Sequence, residues 1–137
     1  MQTVFHLALN VTDLKLACRF YGDLLGSSQG RSTDTWVDFN FFGHQLSLHL
    51  GLPLKSALTG KVDNISVPMP HFGVILPFAT WETIADKLTQ AEVEFIIKPS
   101  LRFKGASGEQ HTMFFLDPFG NPIELKSFAD SKEVFST

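Results

Sequence analysis

At 137 residues the chain has the length of one domain, or of two small modules sharing a core, and it can bury a substantial interior. A hydrophobic share of 44% with fourteen Phe excludes a disordered chain, and a net charge of -3 with interspersed signs argues against nucleic acid as a partner. No apolar run reaches membrane-spanning length, the start of the chain lacks the features of a signal peptide, and the single Cys18 excludes an internal disulfide framework, so the expectation is a soluble cytoplasmic protein.

In chain order, residues 4–11 read as a first strand, with Val4, His6 and Ala8 on one face and Phe5, Leu7 and Leu9 on the other. Asp13 offers a helix N-cap, and Leu14, Ala17, Tyr21 and Leu24 recur at helical spacing before Gly26 closes the helix. Cys18 falls in this helix as a small apolar residue. A polar connection over 27–34 leads to an alternating strand at 35–41. Gly43 then turns the chain into another strand, where Gln45, Ser47 and His49 alternate with Leu46, Leu48 and Leu50.

Residues 52–69 mix Gly, Pro, Ser and Lys with scattered apolar side chains and read as a linker carrying a short irregular segment. The second half of the chain then repeats the first. A strand at 71–76 begins with His71, Thr80 caps a helix marked by Trp81, Ile84, Leu88 and Ala91, and further strands lie at 93–97 and 111–116 around a polar loop over 98–110. A repeat of about 65 residues in two copies is too few for a solenoid and suits two similar modules packed together. The expected fold is α+β: two βαβββ modules (about 1–51 and 70–128, with a tail at 129–137) forming a curved, partly open mixed-sheet barrel with helices outside.

The last strand comes after the stretch Asp117-Pro118-Phe119-Gly120-Asn121, whose Pro, Gly and Asn supply turn geometry. Alternation then sends Ile123 and Leu125 to one face and Pro122, Glu124 and Lys126 to the other. Glu124 is either a solvated edge carboxylate or a metal ligand facing a sheet concavity, and the second reading requires partners elsewhere. The loop at 102–110 holds Arg102, Lys104 and an aromatic between glycines. It reads either as a solvated hairpin or as a lid whose Arg102 pairs with a substrate carboxylate or enolate, the planar guanidinium being the better match to a carboxylate.

Four stretches, taken together, carry a resemblance: Phe5-His6-Leu7-Ala8 with Val11-Thr12-Asp13-Leu14, Phe20-Tyr21-Gly22-Asp23-Leu24-Leu25-Gly26, His71-Phe72-Gly73-Val74, and Asp117-Pro118-Phe119-Gly120-Asn121-Pro122-Ile123-Glu124. The sequence resembles the vicinal oxygen chelate superfamily, which includes glyoxalases, bleomycin and fosfomycin resistance proteins and extradiol ring-cleaving dioxygenases. The resemblance implies His6, His71 and Glu124 as ligands of a divalent metal. It puts Ser47 where glyoxalases of the superfamily usually carry a fourth ligand, a departure that speaks against glyoxalase activity. Two His and one carboxylate with open positions suit non-haem Fe(II), and Mn(II) or Zn(II) also accept these ligands.

The resemblance further implies an extradiol-dioxygenase-like oxidoreductase acting on a small vicinal diol or enediol, with His49 as proton carrier and a homodimeric assembly; Arg102, from the loop at 102–110, is the expected substrate cation. The alternatives are a metal-dependent glyoxalase-like isomerase or lyase, and a protein that sequesters a small molecule without catalysis.

Overall fold

The computed structural model describes residues 1–137. In chain order it contains β1 (His6–Val11), α1 (Leu14–Ala17), a π-helical stretch (Cys18–Leu24), β2 (Ser28–Ser32), β3 (Trp36–Phe41), β4 (His44–Leu50), β5 (Ala57–Val62) and β6 (Ile65–Met69). The second part contains β7 (Phe72–Ile75), α2 (Phe78–Gln90), β8 (Phe95–Arg102), β9 (Gln110–Leu116), β10 (Pro122–Phe128) and a 3-10 turn (Ser131–Phe135). The chain divides into two compact units, residues 1–55 with 117–121, and residues 56–116 with 122–137.

The first unit is a mixed four-stranded sheet in the order β1-β4-β3-β2, with β1 parallel to β4 and the other neighbours antiparallel. Alternation decides its faces: Val37, Phe39, Phe41, Leu46 and Leu48 are buried, while Trp36, Asp38, Asn40, Gln45, Ser47 and His49 take the other side. Asp13 caps α1 by accepting from the Leu16 amide at 3.0 Å. The helix then widens into the π-helical stretch, a departure from the regular helix expected from the spacing of Leu14, Ala17, Tyr21 and Leu24. The wider turn buries Phe20, Tyr21 and Leu25, and the Tyr21 ring packs at 6.1 Å from Phe39 and 6.4 Å from Phe41. The β3–β4 turn is Phe42-Gly43 with both φ values positive, as a two-residue hairpin requires.

The stretch 117–121 completes this unit. Asp117 is buried and all its acceptor capacity is used: Oδ1 accepts from the amides of Phe119 (2.9 Å) and Asn121 (2.8 Å), and Oδ2 from the Tyr21 hydroxyl (2.6 Å) and the Asn121 side-chain amide (2.8 Å). Asn121 also donates to the Asn10 carbonyl at 3.1 Å, and Gly120 takes the positive φ that the turn needs.

The second unit repeats the topology, with order β7-β10-β9-β8, β7 parallel to β10 and the rest antiparallel. The registers match: Ala8 lies opposite Ser47 in the first unit, and Gly73 opposite Glu124 in the second. α2 buries Trp81, Ile84, Ala85 and Leu88, and Trp81 Nε1 donates to the Leu125 carbonyl at 2.9 Å. Ile123 and Leu125 are fully buried, each contributing about 1.5–3 kcal/mol of apolar transfer.

Four further local expectations are corrected. The polar connection over 27–34 holds β2, paired antiparallel with β3. The stretch at 52–69 holds the antiparallel β5–β6 hairpin in place of an irregular linker; Val67 packs there on Ile97 and Phe114, with Val62 and Ile96 at the edge. Scattered apolar residues around two Pro and one Gly concealed that pairing. Thr80 lies inside α2, whose N-cap is Pro77 without a side-chain cap bond. β8 runs on to Arg102, and register shifts in its pairing with β9 explain why alternation failed to predict its length.

Candidate functional site

In the second unit, Glu124 projects from β10 on the face opposite Ile123 and Leu125 and is 6% exposed. Its carboxylate is oriented from one side: the buried Thr112 hydroxyl, on β9, donates to Oε2 at 2.7 Å. That leaves Oε1 turned toward His71, whose Nε2 lies 3.5 Å away. Gly73 makes this approach possible, because a Cβ there would collide with the Glu124 carbonyl oxygen. His71 is partly buried, with its ring edge-to-face on Phe114 at 4.8 Å.

Hydrogen bonding fixes the His71 tautomer. Nδ1 stands 2.8 Å from the Pro68 carbonyl, which can only accept, so Nδ1 carries the proton. In the neutral ring Nε2 is then a lone pair facing a carboxylate oxygen. Two acceptors meet at 3.5 Å, and a cation between them satisfies both. Two ligands each about 2.1 Å from one metal lie about 3–3.5 Å apart, so the pair has the bite of a metal chelate. The backbone carbonyl on Nδ1 and the hydroxyl on Oε2 are the supports that metal-ligating His and carboxylate groups ordinarily have.

His6 shows the same arrangement in the first unit. Its Nδ1 lies 2.9 Å from Gln45 Oε1, and Gln45 Nε2 in turn donates to Asp38 Oδ2 at 3.3 Å. Asp38 fixes the amide orientation, the amide puts the proton on Nδ1 of His6, and the neutral ring keeps its Nε2 lone pair. Ser47 donates to Asp38 Oδ1 at 2.6 Å, so the residue at the fourth-ligand position is part of the scaffold behind His6. Asp38, Asn40, His44 and Gln45 line an open depression of about 370 Å³ in this unit. No group of three or more His, Cys, Asp and Glu side chains is gathered at one place in metal-binding geometry. His71 and Glu124 are brought together in the second unit, and His6 is held in the first.

His49, also in the first unit, is exposed with its ring 6.2 Å from Trp36. Arg102 ends β8 and is engaged within the second unit: its guanidinium donates to Asp63 Oδ1 at 3.3 Å and stands 4.7 Å over the Phe103 ring. His111 packs against Phe78 and Trp81, at 4.7 and 5.0 Å, on the α2 side of its sheet and away from the Glu124 face. Asp38, Thr112 and Lys126 were not singled out from sequence. The alternation of Trp36, Asp38 and Asn40 against Val37, Phe39 and Phe41 put Asp38 on the His6 face, and position 126 shares the Glu124 face. Thr112 carried no signal of its own, because its role depends on the β9–β10 register.

The family profile described as the glyoxalase/bleomycin resistance protein/dioxygenase superfamily matches residues 3–125. No curated protein matches the chain significantly. Among solved structures, the chain is similar to a glyoxalase/bleomycin resistance protein/dioxygenase from Alicyclobacillus acidocaldarius, at 29% identity and TM-score 0.78 over 98% of this chain and 97% of that one. A glyoxalase/dioxygenase from Nostoc punctiforme shares the fold at 18% identity and TM-score 0.69 over 94% and 92%. So does a genomically encoded fosfomycin resistance protein from Listeria monocytogenes, at 17% identity and TM-score 0.68 over 97% and 98%. The repeated βαβββ topology and the profile match over most of the chain agree: this protein belongs to the glyoxalase/bleomycin resistance protein/dioxygenase superfamily.

Proposed function

We propose that the protein is a metal-dependent enzyme of this superfamily, with His6, His71 and Glu124 as the protein ligands and a small vicinal diol or enediol as substrate. The observation that carries the reading is the pair His71 Nε2 and Glu124 Oε1, facing each other at 3.5 Å with the other polar atom of each side chain already bonded. His6 supports it, because the Gln45–Asp38 relay gives it the same open Nε2. The first module that supplies His6 belongs either to the same chain or to the second copy of a homodimer.

Two imidazoles and one carboxylate suit Fe(II), and Mn(II) or Zn(II) accept the same donors. When bound, such a metal lowers the pKa of a coordinated hydroxyl and orients a two-oxygen substrate. The chain's own residues do the rest. Thr112 holds Glu124 in one rotamer, Pro68 and Gln45 hold the two imidazoles in the ligating tautomer, and His49 carries the proton released from the substrate.

With Ser47 committed to Asp38, the first unit offers no fourth ligand at that position, which favours extradiol-type ring cleavage over glyoxalase-type isomerisation. Anaerobic reconstitution with Fe(II), followed by metal analysis and oxygen uptake over a panel of catechols, tests this reading. Stoichiometric metal with oxygen consumed on at least one catechol is the expected result. Metal without oxygen uptake on any diol would point to a metal-dependent isomerase or lyase, and no retained metal to a sequestering protein.

A further inference from the structure

Lys126 lies two residues beyond Glu124 on the same face of β10, and its ammonium stands 3.8 Å from Glu124 Oε1, the oxygen that also faces His71. Thr112 already occupies Oε2, so the lysine and any metal ion address one and the same oxygen. A metal on that oxygen would repel the nearby ammonium. Lys126 is about one-third exposed, and its four-carbon stem gives the ammonium room to swing aside while its Cα stays fixed by pairing with β9 and β7.

We infer that Lys126 is the anion-recognition residue of this site: its ammonium holds Glu124 in the metal-free protein, yields Oε1 to the metal, and then pairs with the anionic oxygen of a metal-chelating ligand. The inference rests on the metal reading above and adds to it the charge class of the ligand. A dianionic or enolate-like two-oxygen compound is preferred over a neutral diol, because the displaced ammonium remains on the Glu124 face with no other carboxylate within 4.0 Å. Arg102, the cation expected from sequence in this role, is occupied by Asp63.

The test is calorimetric titration of the full chain with Mn(II) alone, and of the Mn(II)-loaded protein with oxalate, for the parent, Lys126→Gln and Lys126→Arg. Loss of a cation about 4 Å from a ligand oxygen changes occupancy by roughly tenfold or more. Lys126→Gln is therefore expected to bind Mn(II) about tenfold tighter and to bind oxalate about tenfold more weakly, with Lys126→Arg restoring oxalate binding. A purely structural lysine would not move the two affinities in opposite directions. If the parent binds Mn(II) and oxalate but Lys126→Gln leaves both affinities unchanged, the assignment of Lys126 is wrong while the metal centre stands. If the parent binds no Mn(II), both fail together.

Discussion

Tyr21 is the one tyrosine of the chain, fully buried, with its hydroxyl 2.6 Å from Asp117 Oδ2. Burial first, and then the Asp117 carboxylate, push its pKa well above the ordinary value near 10. The unfolded chain ionises at the ordinary value and the folded one later. Stability drawn from this contact is therefore complete below about pH 10 and is lost as pH rises toward the folded pKa. Because no other tyrosine absorbs, an alkaline titration of the phenolate band should show ionisation that begins only above pH 10 and coincides with loss of tertiary circular dichroism. Ionisation at the ordinary value in a still folded protein would refute the buried contact. In sequence, the turn chemistry of Asp117, Gly120 and Asn121 was legible, as was the faced position of Glu124. The bond from Tyr21 to Asp117 was not, since ninety-six residues separate the partners and only the folded chain brings them together.

Among the elements, the strands whose faces differ clearly in polarity, β1, β3, β4 and β10, were legible because period-two alternation is a property of local sequence. β5 and β6 were not, nor was the length of β8. Their pairing runs through register shifts, where the alternation is broken and tertiary packing of Val67, Ile97 and Phe114 decides the outcome. Gly73 shows how closely β7 and β10 must approach for the site. A methyl group there would collide with the Glu124 carbonyl, so Gly73→Ala must separate the strands. We expect it to lower stability by about 1–3 kcal/mol, read as a fall in the urea midpoint, and to weaken metal binding as well by moving His71 off Glu124. Unchanged stability together with unchanged metal affinity would mean that the β7–β10 contact is looser than described.

For the whole molecule, the repeat of strand, helix and three strands could be read from two similarly spaced apolar patterns, and the two sheets share one strand order and one register at Ala8–Ser47 and Gly73–Glu124. No helix is long and apolar enough to cross a membrane. The three proposed ligand residues came from the family resemblance. What supports them did not, because Pro68, Thr112, Gln45 and Asp38 reach the ligands through neighbouring strands and loops whose registers no local pattern specifies. The proposed metal centre depends most on Glu124. The measurement that tests it directly is the Fe(II) content, after anaerobic reconstitution and desalting, of the parent and of Glu124→Gln, a near-isosteric change that still accepts from Thr112. The parent should retain about one equivalent per chain and the variant, with an unchanged circular dichroism spectrum, almost none. Equal metal retention by the two proteins would contradict the proposed centre.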